Sequence, residues 1–174
     1  MLYKDAEEYT EALLKARKSI IVAVKNARAQ QRAERLEFLV RTRTFDPTAD
    51  AAAKDLTPLP VVMCVHLGQT FLVYQPEKWL KVMKEAFLLY RQRFASRAYA
   101  TIQHRYIWEW DIKKIIAREN ISKMTYQNRR CDFLHGAVLL AAQAGLLTID
   151  ADMEILKARA AAASKKLNET EKQE

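Results

Sequence analysis

Gln127 and Asn128 have side chains that both donate and accept hydrogen bonds, so each can pair with a planar edge offering one donor and one acceptor. Around them stand Lys123, Met124, Thr125, Arg129 and Arg130, and just upstream Lys113, Lys114 and Arg118. Lys and Arg at this density suit anionic oxygens, and paired amides suit base edges, adenine above all. The wider charge pattern agrees. Residues 78–146 carry 13 Lys/Arg against 5 Asp/Glu, a surplus of +8, and residues 1–43 carry 10 against 6. The segment 44–77 is −3 and the tail 147–174 is −1, so the net +8 resides in two regions that read as helical. Such a field steers a protein to polyanions.

Other chemistries lack their residues. His66, His104 and His135 are far apart, and Cys64-x-His66 has no second pair at zinc spacing. Three scattered glycines make no phosphate loop. His104, next to Arg105 and ahead of an aromatic run, reads as a surface or interface histidine. Glu109 and Asp111 read as carboxylates at the positive start of a helix. Cys64 and Cys131 read as free thiols. No catalytic residue, cofactor or metal is expected, and the chain is expected to act by binding.

The elements that position the basic and amide residues follow from periodicity. Ile107, Trp108, Ile112, Ile115 and Ile116 mark one face of a helix that ends near Asn120-Ile121-Ser122. Ser122 is a good N-cap for a second helix, whose apolar stripe runs through Tyr126, Phe133, Ala137, Leu140, Ala141 and Ala144. Gly145 falls where a left-handed C-terminal residue is wanted. Asn120 takes the turn position at which glycine is common, and asparagine tolerates positive φ. Two helices joined by three residues, the second led by polar and basic groups, predict a helix-turn-helix over 106–146. The stripe leaves Met124, Gln127, Asn128 and Cys131 outward. Lys123, Arg129 and Arg130 flank them, and the stem of Arg130 lies against the stripe with its head reaching out.

The rest of the chain reads as mainly α. Residues 1–43 form an N-terminal helical segment, as one long helix or two abutting ones, with Tyr9, Leu13, Ile20, Val24, Ala27, Leu36, Leu39 and Val40 on its apolar face. That stripe thins around Gln30–Arg32, and it offers a dimerising seam as an alternative to core packing. Residues 44–60 hold three of the four prolines and read as a linker. A helical core over 61–147 follows. Its first part, Val61–Leu67 and Thr70–Tyr74 around Gly68, reads as a short β-hairpin, with a helix as the alternative for so short an apolar run. Pro76 opens a helix with Trp79, Val82, Met83, Phe87, Tyr90 and Phe94 on one face. Residues 148–174 read as a polar tail, helical or disordered. No apolar run is long enough for a membrane span and no leader opens the chain, so a cytoplasmic protein is expected.

The run Ile121-Ser122-Lys123-Met124-Thr125-Tyr126, with Arg129-Arg130 and Phe133-Leu134, resembles the C-terminal segment of phage late-gene transcriptional regulators of the ArpU and RinA type. Those carry a helix-turn-helix like region 4 of sigma factors. The resemblance covers 35–40 residues, and here Asn120 replaces the usual turn glycine and Gln127 the second tyrosine. It implies transcriptional control in a bacterial host, with RNA polymerase as a partner; double-stranded DNA is expected from the charge and the helix-turn-helix pattern, and a homo-oligomer from the two half-sites such proteins commonly read. Two other readings stay open. One is a phage packaging or replication accessory such as a small terminase subunit. The other is a helical interaction module that does not bind DNA.

Overall fold

The computed structural model describes residues 2–42 and 58–148. The linker over 44–57 and the tail from 149 onward lie outside the described residues. The described chain is mainly helical, with six helices and one two-stranded antiparallel sheet. The order is α1 (Tyr3–Lys15), α2 (Arg17–Thr42), β1 (Val61–His66), β2 (Gln69–Tyr74), α3 (Pro76–Arg93), α4 (Ser96–Tyr106), α5 (Ile112–Glu119) and α6 (Lys123–Gln143).

The N-terminal segment is two abutting helices, and the break falls at Ala16 (φ −83°, ψ 5°), well before Gln30–Arg32. Leu13, Leu14, Ala16 and Ile20 all enter the core, so the chain is buried on both sides of the break. The apolar residues of α1 and the first half of α2 are thus occupied within the chain, with Val24 and Ala27 also against the core. The side chains of Leu36, Leu39 and Val40 lie outside the described residues.

The hairpin forms where expected, each strand one residue from the expected limit. Its pairs run from Val61 opposite Tyr74 to His66 opposite Gln69. Leu67 (φ 50°) and Gly68 (φ 77°) make the turn. Two successive left-handed residues match the right-handed twist of the strands, as in a type I′ turn. Val62, Cys64 and Val73 are buried, and β1 packs on α2. Gln75 (φ 48°) then redirects the chain, and Pro76 at the first helical position starts α3 without sacrificing a hydrogen bond.

The core gathers Leu13, Leu14, Trp79, Met83, Tyr106, Phe133 and Val138. Phe133 is its hub: its ring lies 4.9 Å from Phe87, 5.4 Å from Tyr90 and 5.5 Å from Tyr106. Through it α6 packs on α3 and α4; α6 also packs on α1, while α5 rests mainly on α4. Arg28 of α2 pairs with Glu77 of α3 through Nε at 2.8 Å and Nη2 at 2.5 Å. Among the described residues no helix is long and apolar enough to cross a membrane, and no group of three His, Cys, Asp or Glu could hold a metal ion.

Candidate nucleic-acid interface

The three residues between α5 and α6 settle by local chemistry. Asn120 closes α5 in the left-handed conformation (φ 49°, ψ 54°). Ser122 is extended, and its Oγ accepts from the backbone N–H of Thr125 at 3.0 Å, satisfying one of the unpaired amides at the start of α6. Thr125 Oγ1 lies 2.9 Å from the same oxygen. At the far end, Gly145 (φ 69°) lets its own N–H bond Ala142 O at 3.0 Å and that of Leu146 bond Ala141 O at 2.9 Å. This is the Schellman closure, with Leu146 folded back on the core.

The first helix of the pair is shorter than the sequence predicts. Tyr106 ends α4, and α5 begins only at Ile112, so 107–111 is a connection and the expected helix pair spans 112–143. The reason lies in the aromatic residues. Trp108 and Trp110 both turn onto His104, at 4.5 and 4.3 Å between ring centroids, the Trp110 pair nearly parallel at 12°. In a continuous helix residues 108 and 110 lie about 200° apart around the axis, so the two rings could not both reach His104. Glu109 accommodates the reversal with φ 58°, and the N–H of Trp110 bonds His104 O at 2.9 Å. Glu109 pairs with Lys18 of α2 at 3.1 Å instead of serving a helix start, and Asp111 takes the N-cap place without a side-chain cap bond.

His104 is therefore buried, not a surface histidine. Glu119 approaches its Nδ1 at 3.2 Å, a charge contact without hydrogen-bond alignment. Burial lowers the imidazole pKa; Glu119 opposes that shift, and Arg118 and Lys114 add to it.

Lys113, Lys114, Arg118, Lys123, Met124 and Asn128 are exposed, while Thr125 and Gln127 are half-buried. Lys114 Nζ lies 4.2 Å above the Trp110 ring, a cation–π contact that leaves the ammonium at the surface. From Ile112 to Cys131 the chain has a single carboxylate, Glu119, and its side chain is turned inward onto His104. All the exposed charges of this stretch are positive.

Arg129 and Arg130 depart from the expected outward pair. Arg129 Nη1 donates to Thr101 Oγ1 at 2.8 Å and to Arg97 O at 3.3 Å, anchoring α6 to the start of α4. Arg130 points back to α1, where Nε and Nη2 grip the two Glu11 oxygens at 2.8 and 2.5 Å. Tyr106 also donates to Glu11, at 3.1 Å, and Lys15 Nζ lies 3.2 Å from it. Burial alone would raise the Glu11 pKa. The hydrogen bonds and charge of Arg130, then those of Lys15, outweigh it and hold the carboxyl at about 2. The Arg130 head is thus committed within the protein, because a buried carboxylate one helix away offers a fixed partner that solvent cannot match. Glu11 and Thr101 were missed as positioning residues. Each is remote in sequence from the arginine it holds, and no local pattern marks either.

The arrangement presents a capped helix start with the exposed Asn128 amide, while Gln127 is half-buried and its Oε1 lies 3.5 Å from Arg130 Nη1. Four exposed cations stand on α5 and the first residue of α6, with two arginines bound internally behind them. No family model, curated protein or solved structure matches the chain.

Proposed function

We propose that the chain binds double-stranded DNA, with the first turns of α6 entering the major groove and α5 lying across the backbone. The observation that carries this is the group of exposed cations between Asp111 and Asp132, two aspartates that are themselves exposed. Lys113, Lys114, Arg118 and Lys123 are all exposed, and the only carboxylate of the stretch is withdrawn. In this reading those four cations engage phosphates and set register, while Gln127 and Asn128 read base edges. Met124, exposed on the same turn, gives apolar contact to a thymine methyl. Arg129 and Arg130 hold the helix rather than touch DNA.

On the resemblance of 121–134, the protein is a phage or prophage transcriptional regulator. It works in the cytoplasm of a bacterial host as a homo-oligomer on paired half-sites, beside RNA polymerase.

The test separates reading from positioning. After selection of a preferred duplex, Gln127→Ala or Asn128→Ala should cost about 1–3 kcal/mol of discrimination and leave binding to random duplex nearly unchanged. Lys123→Ala should weaken both duplexes alike. If both amide variants leave every sequence preference intact while the fold persists, α6 is not the reader.

A further inference from the structure

The hairpin breaks the usual rule for a sheet lying on a protein surface. An antiparallel pair covered on one side alternates apolar inward and polar outward. Here the inward face is Val62, Cys64, Phe71 and Val73, packed toward α2. The opposite face is built of the cross-strand pairs Val61–Tyr74, Met63–Leu72 and Val65–Thr70. Thr70 is its only polar member, and none is charged. Val61, Met63, Val65, Leu72 and Tyr74 expose between 38% and 66% of their surface, and Leu67 at the turn exposes 90%. This is the composition of a strand pair buried on both faces, and among the described residues nothing packs on the second.

The area indicates what that cover is. At about 150–200 Å² for each whole side chain, these six exposures come to about 600 Å² of mainly apolar surface. That is at the top of the range for the largest patch on a soluble monomer, and near the roughly 800 Å² per partner of a standard interface. The patch continues into an open groove of about 400 Å³ between α2 and β1, where Lys18, Ser19 and Asn26 give a polar margin beside Val22, Met63 and Val65. With no charge among its cross-strand pairs, the face calls for an equally apolar cover, and a second copy of the same face supplies one of equal area.

We infer that two copies of this chain dimerise by stacking these hairpin faces across a two-fold axis, as sheets stack in a sandwich. The inference does not depend on DNA binding. It is compatible with it, since the hairpin packs on α2 whereas α6 packs on α1, α3 and α4. It also places the dimer seam away from the N-terminal stripe.

Sedimentation equilibrium of the full chain from about 1 to about 100 µM tests it, alongside Met63→Lys and Leu72→Lys. The wild type should be dimeric, and each lysine should weaken association by at least about tenfold, because it buries an unpaired charge. Far-ultraviolet dichroism should stay unchanged, since both side chains point away from the core. Should a variant fail to fold, peroxide oxidation of the wild-type protein decides. Met63 should react more slowly as protein concentration rises, while Met124, 70% exposed on α6, should not. A wild type that is monomeric throughout, a dimer that survives both lysines, or a Met63 oxidation rate independent of concentration would overturn the inference. A monomer with Met63 protected at every concentration would show instead that the chain covers its own hairpin.

Discussion

Replacing Glu11 by Gln removes the charge that holds Arg130 while keeping the size and one acceptor oxygen. The Glu11 carboxyl is held at about 2 in the folded chain, against 4.5 for the free side chain, and only 10% of the side chain is exposed. At about 1.4 kcal/mol per pH unit the shift corresponds to about 3 kcal/mol, lowered toward about 2 because Arg130 is partly exposed. The variant should thus lose about 2–3 kcal/mol at neutral pH, or on the order of 10 °C in melting temperature. The sign follows from linkage. The folded state releases this proton more readily than the unfolded state, so the stabilisation is complete above pH 4.5 and is lost as pH falls toward about 2. Urea unfolding of wild type and Glu11→Gln between neutral and acid pH measures both effects. The gap should be widest at neutral pH and close at the acid end. Arg130→Met should cost as much or more, since it strands a buried carboxylate, and the double variant should recover part of the loss. A neutral-pH gap below about 0.5 kcal/mol, or one that persists unchanged at acid pH, refutes the account of the pair.

Four further variants probe the turn and the aromatic box. Ser122→Ala should cost about 1 kcal/mol through loss of the Thr125 cap bond, and Asn120→Ala about the same, while Asn120→Gly should be nearly neutral; thermal melts distinguish the three. His104→Phe keeps the stacking on Trp108 and Trp110 but removes a group whose pKa burial has lowered. The neutral imidazole stabilises the fold above the ordinary histidine value, and that contribution fades as pH falls below it. Unfolding titrations of His104→Phe should therefore show a flatter loss of stability on mild acidification than the wild type.

What could be read from the sequence was what local chemistry decides. The Asn120–Ser122 turn, the Gly145 closure, Pro76 and the Gly68 hairpin each rest on backbone preferences of one or two residues, and all took their expected form. Errors arose where distant groups overrode a local pattern. Ile107 and Trp108 share the period of Ile112 and Ile115, yet stacking on His104 ended the helix at Tyr106. Arg130 was legible as a residue near the stripe, but Glu11, 119 positions away, decides where its head goes. The break at Ala16 likewise has no local mark, since neither glycine nor proline stands there and residues on both sides are buried in one core. Of the candidate site, the exposed positions Lys123, Met124 and Asn128 were legible from helical spacing, because one well-formed stripe defines the opposite face. The inward turn of Glu119, which leaves only cations exposed between Asp111 and Asp132, was not.

The central claim is that the 112–131 surface binds duplex DNA through its exposed cations. Its most direct test is the salt dependence of association, followed by fluorescence anisotropy of a labelled duplex. With Lys113, Lys114, Arg118 and Lys123 each displacing a counterion, log K should fall against log salt with a slope of about −3 to −4 per chain. Changing Lys123 to Ala should shallow that slope by about one, and Arg130→Met should leave it unchanged. Absence of binding at low salt, or a slope near zero, would contradict the claim.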